Sequence, residues 1–284
     1  MPELPEVETI RSRLAPGLAG RVFERVEILD ARLTRPELPE AVAAELEGER
    51  VRDVRRRGKY LIVAFESGRH LLVHLRMTGT FQHPAPDRPD PHRRAVVTLD
   101  DGSDVAYRDV RRFGTWLLLE PGELDAYLAG RIGGEPFGDA FTTASFARAL
   151  GGRRAPIKAA LLDQKAVAGV GNIYADEALW RARIHPLMPA GELDRRAIGA
   201  LRKAVLEALR TGIARQGATL RDYRDPSGEN GTMQLEFKVY GRGGEPCERC
   251  GTPIAKTRAA GRGTWFCPRC QRDPGRSGSA GAVL

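Results

Sequence analysis

The first six residues, Met1-Pro2-Glu3-Leu4-Pro5-Glu6, combine groups that could perform covalent catalysis. Initiator methionine is normally removed when a small residue follows, and its removal would leave Pro2 with a free secondary amine. Such an amine can attack an electrophilic sugar carbon and form a cationic iminium, as Schiff-base lysines do. Glu3 and Glu6 lie within one helical turn and could donate or accept protons. Proline and acids are also ordinary signals for the start of a helix, and alone these residues favour that simpler interpretation.

A second group with chemical potential lies near the other end of the chain. Its members are the only cysteines of the sequence: Cys247, Cys250, Cys267 and Cys270. Two thiolate pairs at this spacing suit tetrahedral zinc, and four protein ligands leave no open position for catalysis. Because all the cysteines fall in one short segment, a metal site is favoured over a disulfide framework. We therefore predict one structural Zn²⁺.

Two further segments could act on a polyanion. Lys59, in Arg-Arg-Arg-Gly-Lys-Tyr, is the only lysine before Lys158, although arginine is abundant. An amine can lose its proton near neutral pH, whereas a guanidinium cannot. Met77, Arg111 and Phe113 could form a wedge that refills a gap in DNA from which a base is extracted. From spacing alone, however, Met77 and Phe113 fit better as core residues and the arginine as a surface residue.

The composition indicates the kind of partner. Lys and Arg number 45 against 37 Asp and Glu, giving a formal charge of +8 and a pI near 9.6. This excess favours a polyanion, most simply nucleic acid. No apolar stretch reaches the roughly 18 residues needed to cross a bilayer, and the N-terminus lacks a secretory pattern. We expect a cytoplasmic protein with no membrane partner.

The elements that must position these groups change character along the chain. A helix from Pro5 to about Leu18 is followed by short β-rich runs at 22–28, 60–65, 70–75, 95–99, 105–107 and 115–119. Asp101-Gly102 is a hairpin signal, and the Pro-rich residues 82–94 predict a loop. Several short strands with turn signals predict a β-sandwich or barrel packed on the N-terminal helix.

Helical periodicity follows a Gly-rich joint around residues 130–139. The pattern predicts helices at 156–167, at 173 to about 183, and over an amphipathic stripe from Ile198 to Ile213. Glycines and exposed N–H groups before the second helix could bind phosphate, or simply form a packing turn. The polar residues 216–231 are too irregular for a regular element and predict a functional or disordered loop.

Taken together, these motifs resemble the formamidopyrimidine-DNA glycosylase family. The resemblance rests on the N-terminal Pro-Glu-Leu-Pro-Glu-Val-Glu-Thr, on Arg-Arg-Gly-Lys-Tyr, His-Leu-Arg-Met-Thr-Gly and Arg-Arg-Phe-Gly, on Gly169–Asp176 and Gly217–Tyr223, and on the cysteine finger. They run in order from residue 2 to about residue 272. Val110 departs from the pattern, since some members carry proline there.

The resemblance implies a bacterial base-excision repair enzyme that excises oxidised purines from double-stranded DNA as a monomer. The implied fold class is α+β multidomain: an N-terminal helix plus β-sandwich, a helix–two-turns–helix domain and a C-terminal four-cysteine zinc finger. We expect the domains at 1–132, 133–232 (with the lesion loop) and 233–272, followed by a flexible tail at 273–284.

The resemblance also implies roles for individual residues. Pro2 would be the nucleophile at C1′, Glu3 the general acid with Glu6 supporting it, Lys59 the proton donor in β-elimination, and Arg262 the phosphate ligand linked to δ-elimination. The DNA-binding residues would be Met77, Arg111, Arg112 and Phe113 around the emptied stack, and His92, Arg154, Lys158, Asn172 and Tyr240 on the backbone. The lesion loop would include Thr219, Leu220, Arg221 and Tyr223.

Two alternative functions stay open at this point. An endonuclease VIII type enzyme would use the same Pro2 chemistry on oxidised pyrimidines, but Leu4 and the complete wedge set favour the purine branch. A non-catalytic zinc protein that binds damaged DNA would explain the charge and the cysteines. It would leave the acidic, proline-started terminus unexplained.

Overall fold

The structure of the chain, a computed structural model, describes residues 1–272, so the predicted flexible tail at 273–284 lies outside it. The chain forms two compact units. The first contains residues 1–129 and 212–234, and the second contains residues 130–211 and the chain from Leu235 onward. The irregular segment 216–231 therefore belongs with the N-terminal strands.

The first unit is a β-sandwich with a helix at its start. Helix α1 spans Leu4–Leu18, α2 spans Pro39–Leu46 and a short α3 spans Glu123–Leu128. The strands are β1 (Phe23–Ile28), β2 (Val51–Arg57), β3 (Tyr60–Phe65), β4 (His70–His74), β5 (Thr80–Gln82), β6 (Arg93–Leu99), β7 (Asp104–Arg108) and β8 (Thr115–Leu119). They form two four-stranded sheets in the orders β1-β6-β7-β5 and β2-β3-β4-β8, with antiparallel pairing throughout. The predicted sandwich is confirmed.

One apolar core holds α1 against the strands of the first unit, as the sequence predicted. Its residues Val7, Ile10 and Leu14 recur at helical spacing and are completely buried. They belong to the same cluster as Phe23 of the first sheet and Phe65 of the second, whose rings meet edge to face at 5.4 Å. Burying a large side chain of this kind stabilises a fold by about 1.5–3 kcal/mol. The terminal segment is thus fixed to the sandwich.

The first unit contains four elements that the sequence pattern did not predict, α2, α3, β2 and β5, and one predicted segment differs in length. Helix α2 begins at a proline in a segment without an assigned motif. Strand β2 buries only Val51 and Val54 while most of its other positions carry arginine, so its alternation is weak. The Pro-rich loop is shorter than expected because Arg93 already belongs to β6.

The second unit is helical and ends in a small hairpin. Its helices are α4 (Thr143–Leu150), α5 (Ile157–Leu162), α6 (Asn172–Ala182) and α7 (Arg195–Ala214), the last of which ends at residues assigned to the first unit. The hairpin consists of β9 (Ala255–Ala259) and β10 (Arg262–Phe266). Short 3-10 turns lie at Ala190–Glu192 and Met233–Glu236.

The prediction of a helix at 156–167 was wrong in length, because α5 ends at Leu162. Gln164 adopts a left-handed backbone with φ 65°. Its side chain accepts a hydrogen bond from the Gly169 N–H at 2.8 Å and donates one to the Val170 carbonyl at 2.6 Å. These bonds replace helical ones and stabilise the turns that join α5 to α6. The predicted helices at α6 and α7 are confirmed.

No helix within residues 1–272 is both long enough and apolar enough to span a membrane.

Candidate active site and nucleic-acid interface

The N-terminal carboxylates form a closed arrangement at the start of α1. Glu3 and Glu6 are each only 2% exposed, and Pro2 is buried next to Glu3. Glu3 is the N-cap residue, and its N–H donates to Glu6 Oε2 at 2.8 Å in a reciprocal capping box. The helix-start interpretation of these acids therefore holds, and both buried side chains belong to the first turn of the chain after Pro2. The Pro2 nitrogen becomes an amine only once Met1 is removed.

Glu6 also ties the terminus to the segment 216–231. Its Oε1 accepts a hydrogen bond from the Ala218 N–H at 2.8 Å. Gly217 allows this approach because it adopts φ 81° and an added Cβ would lie 2.7 Å from Glu6 Cγ. The Tyr223 hydroxyl donates to the Gln216 carbonyl at 3.1 Å, and burial, followed by the Glu6 charge, raises its pKa. Glu6 therefore joins the start of α1 to the loop.

The loop residues expected to recognise a lesion divide into anchors and exposed groups. Thr219 is an anchor, since its hydroxyl accepts from the Gly231 N–H at 3.0 Å and donates to the Tyr223 carbonyl at 3.0 Å. Leu220 is 52% exposed, and Arg221 is also exposed. The segment is an irregular but hydrogen-bonded loop that presents one apolar and one cationic side chain.

Lys59 lies at the turn between β2 and β3 and is only 6% exposed. Gly58 beside it takes φ 58°, which lets two residues close the turn. His74, the register partner of Tyr60, was missed as a candidate residue although it stands in the His-Leu-Arg-Met-Thr-Gly motif. Burial, with help from the nearby Arg76 and Lys59 charges, lowers the pKa of His74 to about 3. Its Nδ1 accepts from the Arg76 N–H at 3.0 Å, so the neutral ring carries its proton on Nε2.

The three wedge candidates belong to two neighbouring turns. Phe113 is 49% exposed, so the interpretation of this ring as a core residue was wrong. The Arg111 guanidinium lies 4.7 Å from the centre of the Phe113 ring, and Met77 is half-buried. An exposed aromatic ring covered by a guanidinium is a group that can stack in DNA.

A buried carboxylate that sequence reasoning missed holds these turns together. Asp109 is 1% exposed, and its Oδ2 accepts from the N–H groups of Phe113 at 2.9 Å and Gly114 at 2.7 Å. Its Oδ1 accepts from the Thr78 hydroxyl, which in turn accepts from the Arg111 N–H at 3.0 Å. Asp109 therefore links the turn after Met77 to the one that carries Phe113. Its place directly before Val110-Arg-Arg-Phe was the available signal.

Two other expected DNA ligands of this unit have structural partners. The Arg112 guanidinium donates to both oxygens of buried Asp30, at 2.6 and 2.8 Å, and this pairing lowers the Asp30 pKa to about 2. His92 is half-buried, and its backbone N–H donates to Asp90 Oδ1 at 2.8 Å. Arg112 thus fixes the turn that presents Arg111 and Phe113.

In the second unit the structure corrects the position of Lys158. The side chain was expected on the DNA backbone, but it is 0% exposed and its ammonium lies 2.7 Å from Asp176 Oδ1. Burial raises the pKa of Asp176 to about 7, and the Lys158 ammonium limits that rise. Asn172 is likewise directed inside the unit, with its amide donating to the Gly263 carbonyl at 3.1 Å. The expected phosphate ligands Arg154 and Arg262, by contrast, are exposed.

Tyr240 is held by a second buried acid that sequence reasoning missed. Glu177 is 0% exposed, and its Oε1 accepts from the N–H groups of Lys238, Val239 and Tyr240 at 2.9, 3.0 and 3.1 Å. The Tyr240 ring packs against Trp265 with centroids 4.6 Å apart. Glu177 follows Asp176 on the buried face of α6, which was the only sequence signal.

The four cysteines meet the requirements of a zinc site. Their sulfur atoms all lie within 4.8 Å of one another, and Cys250 Sγ is 3.5 Å from both Cys267 Sγ and Cys270 Sγ. A tetrahedral zinc with bonds of about 2.3 Å separates its sulfurs by about 3.8 Å. Trp180 Nε1 donates to Cys247 Sγ at 3.4 Å and so supports the site from α6. The residues fit one structural Zn²⁺, as the sequence predicted.

Comparison with known proteins assigns these features to one family. Family models match the chain as the formamidopyrimidine-DNA glycosylase N-terminal domain over residues 1–116, the formamidopyrimidine-DNA glycosylase H2TH domain over 132–224, and the zinc finger found in FPG and IleRS over 244–272. The chain belongs to the formamidopyrimidine-DNA glycosylase family. The resemblance inferred from the motifs is therefore confirmed across all three parts.

Individual formamidopyrimidine-DNA glycosylases are similar over nearly the whole chain. The protein of Herpetosiphon aurantiacus is 45% identical over 273 residues, which cover 95% of this chain and 100% of that protein. That of Symbiobacterium thermophilum is 48% identical over 278 residues, covering 96% and 90%. The crystal structure of the MutM (FPG) protein from Thermus thermophilus matches with a TM-score of 0.85 at 44% identity, covering 95% of this chain and 98% of that one. A Lactococcus lactis FPG mutant bound to Fapy-dG containing DNA matches with a TM-score of 0.89 at 38% identity, covering 96% and 100%.

Proposed function

We propose that this glycosylase excises oxidised purines from double-stranded DNA and then cleaves the sugar–phosphate backbone through a Schiff base on Pro2. The observation that carries the proposal is the buried group formed by Pro2, Glu3 and Glu6, which Ala218 connects to the candidate lesion loop. Similar proteins support the substrate class, since solved relatives are bound to DNA containing Fapy-dG or carbocyclic 8-oxo-G.

The first step joins the enzyme to the damaged nucleoside. After Met1 is removed, the Pro2 nitrogen attacks C1′, and the electron pair of the bond between C1′ and the base leaves with the base. Glu3 protonates the sugar ring oxygen as the bond from that oxygen to C1′ opens. The attacking nitrogen loses its N–H proton and the departing base takes up one proton, after which the nitrogen lone pair forms the iminium with C1′. Glu6, which accepts the Glu3 N–H, keeps Glu3 at the start of α1.

The second step breaks the strand. The iminium withdraws electrons and acidifies the C2′ proton, so loss of that proton expels the 3′ phosphate in β-elimination. A second elimination then expels the 5′ phosphate, and water releases the remaining sugar from Pro2. Lys59 is the proton donor assigned to the first elimination, and its side chain is buried at the turn between β2 and β3. Arg262 is exposed and holds the phosphate that leaves in the second.

The wedge makes the damaged base accessible. A base inside a duplex cannot reach Pro2, so the enzyme must extrude it at a cost of a few kcal/mol. Phe113 and Met77 fill the emptied stack, and Arg111 faces the orphaned partner base. Asp109 fixes the turn that carries Phe113 and reduces the entropy lost on binding.

A duplex cleavage assay separates this proposal from the two alternatives. The protein without Met1 is incubated with duplexes that contain 8-oxoguanine opposite cytosine or thymine glycol, and released bases and strand products are resolved. We expect faster release of 8-oxoguanine, followed by β- and δ-elimination products. Faster release of thymine glycol would indicate an endonuclease VIII type enzyme, and tight binding without base release would indicate a damage sensor.

A further inference from the structure

The buried cation Lys158 is directed toward the backbone of the zinc-finger hairpin. Its Nζ donates to the Gly263 carbonyl at 3.0 Å and to the Thr264 hydroxyl at 2.8 Å, while Asp176 balances its charge at 2.7 Å. All these atoms lie within the second unit. An ammonium group has three donors and no acceptor, so it suits three such oxygen partners. Lys158 is therefore engaged with the hairpin and with α6.

The Thr264 hydroxyl connects Lys158 to Arg262, because it accepts one hydrogen bond and donates another. Because Lys158 can only donate, the hydroxyl accepts from it and directs its own hydrogen elsewhere. The hydroxyl donates to the Arg262 carbonyl at 3.1 Å. Thr264 is 0% exposed, so water does not compete for either bond. A continuous chain of contacts thus runs from Asp176 through Lys158 and Thr264 to the backbone of Arg262.

Neighbouring contacts hold the same part of β10. The Asn172 amide donates to the Gly263 carbonyl at 3.1 Å, and Asp176 Oδ2 accepts from the Trp265 N–H at 3.1 Å. The α6 residues Asn172 and Asp176 thus fix both a carbonyl and an N–H of the strand. The Arg262 side chain stays exposed beside them.

We propose that Lys158 is a positioning residue for Arg262, which it orients through Thr264 and the Gly263 carbonyl while making no contact with DNA itself. This inference rests on the proposed function, in which Arg262 binds the phosphate that leaves in the second elimination. A buried ion pair costs desolvation energy, and a matched apolar pair can be equally stable. What Lys158 specifically contributes is therefore that it fixes the geometry of the hairpin.

The test compares a double variant, Lys158→Met/Asp176→Asn, with the native chain and with Arg262→Ala. Replacing both charges avoids an unpaired buried carboxylate, and the asparagine amide oxygen can still accept the Trp265 N–H, so the Lys158 contacts are removed while this hairpin bond is kept. We expect one zinc per chain and unchanged base excision. We also expect the ratio of δ- to β-elimination products to fall about tenfold, as for the loss of one strong hydrogen bond. Lys203→Met, which changes a side chain that is 79% exposed, is the control and leaves the ratio unchanged.

Adding Arg262→Ala distinguishes positioning from a direct contact. If Lys158 acts through Arg262, adding the double variant to Arg262→Ala causes no further fall in the ratio of δ- to β-elimination products. Nor does it change the salt dependence of DNA binding in that background. An independent loss of affinity there, with a salt slope reduced by about 0.9, would show that Lys158 contacts a phosphate and would overturn the proposal.

Thr264 provides a second pair of variants if the double variant folds poorly. Thr264→Val removes the hydroxyl and lowers the product ratio, whereas Thr264→Ser retains the hydroxyl and restores it. Equal ratios in the two variants would contradict the proposal. Hydrogen exchange of the amides at 263–266 needs no catalysis and separates this inference from the proposed function. If the native protein forms no elimination products, faster exchange in Thr264→Val than in Thr264→Ser still supports positioning, and equal exchange overturns it.

Discussion

The turn after β7 and the hairpin of the zinc finger are both fixed by a buried charge, but the two charges have opposite signs. Asp109, a buried acceptor, binds the N–H groups of Phe113 and Gly114. Lys158, a buried donor, binds the Gly263 carbonyl and the Thr264 hydroxyl. In both regions the enclosed charge contacts the local chain, while a nearby arginine stays exposed. A conspicuous charge in a DNA-binding protein can therefore act by shaping the surface that meets the DNA.

The two regions also differ in what they serve. In the proposed mechanism the first unit contains the reacting groups at Pro2 and Glu3, and the second supplies Arg262 as a phosphate ligand. Variants of the first unit should therefore change base excision. Variants of the second should change DNA affinity and the second elimination.

The largest effect is expected for Glu3→Gln. The amide cannot protonate the sugar oxygen, and losing a general acid reduces a rate about 10²- to 10⁴-fold. DNA affinity should stay within about twofold, because the cationic residues that bind phosphate are unchanged. Single-turnover release of 8-oxoguanine and a binding titration measure the two quantities, with exposed Glu24→Gln as the control. Native excision by Glu3→Gln would remove Glu3 from the catalytic group.

Asp109→Asn should cause the next largest loss. The new amide group faces backbone N–H groups and leaves at least one of them without an acceptor, which costs about 1–3 kcal/mol. We expect base excision to fall about tenfold or more, since the wedge is no longer fixed. Fluorescence of 2-aminopurine opposite the lesion reports extrusion directly. Exposed Asp139→Asn serves as the control, and normal extrusion by Asp109→Asn would contradict its role.

Arg262→Ala should weaken DNA binding about tenfold without releasing zinc, since cysteines alone hold the metal. The slope of log affinity against log salt should decrease by about 0.9, as expected for one lost phosphate contact. Filter binding over a salt series and zinc analysis measure both effects, with the exposed Arg148→Ala as the control. Loss of zinc from Arg262→Ala would show instead that this residue supports the finger.

The smallest effect concerns stability and pH. Asp30 has its pKa lowered from 3.8 to about 2, chiefly by hydrogen bonds from Arg112. A carboxylate whose pKa is lower in the folded than in the unfolded protein stabilises the fold at every pH above the unfolded pKa. This contribution is lost as the pH falls from about 4 to about 2. Because Arg112 is 43% exposed, solvent screens part of this pairing and its contribution to stability is small. The difference in free energy of unfolding between native protein and Asp30→Asn should vanish in that range, and a constant difference down to pH about 2 would contradict the pairing.

Several parts of the fold followed from the sequence because local patterns and tertiary structure agreed. The spacing of Val7, Ile10 and Leu14 predicted α1, and Asp101-Gly102 predicted the turn between β6 and β7, where Gly102 takes φ 80°. The cysteine spacing predicted the zinc site. Strand β2 was not predicted because its many arginines weaken the alternation of apolar and polar residues that indicates a strand.

Burial of charged groups could not be predicted from the sequence. Lys158, near the start of α5, has the pattern of an exposed phosphate ligand, and its partner Asp176 belongs to another helix. Asp109 and Glu177 similarly bind N–H groups that only the folded backbone brings together. Phe113 shows the reverse error, since an aromatic ring expected in the core is exposed. Residue type alone does not reveal which charges the fold encloses.

The most direct test of the account is borohydride trapping on a duplex that contains 8-oxoguanine. Protein from which Met1 has been removed is mixed with the duplex and reduced, and the cross-linked peptide is mapped by mass spectrometry. We expect a stable adduct between the Pro2 nitrogen and C1′ of the damaged sugar. An adduct on an internal lysine such as Lys59, or no adduct from fully processed protein, would contradict it.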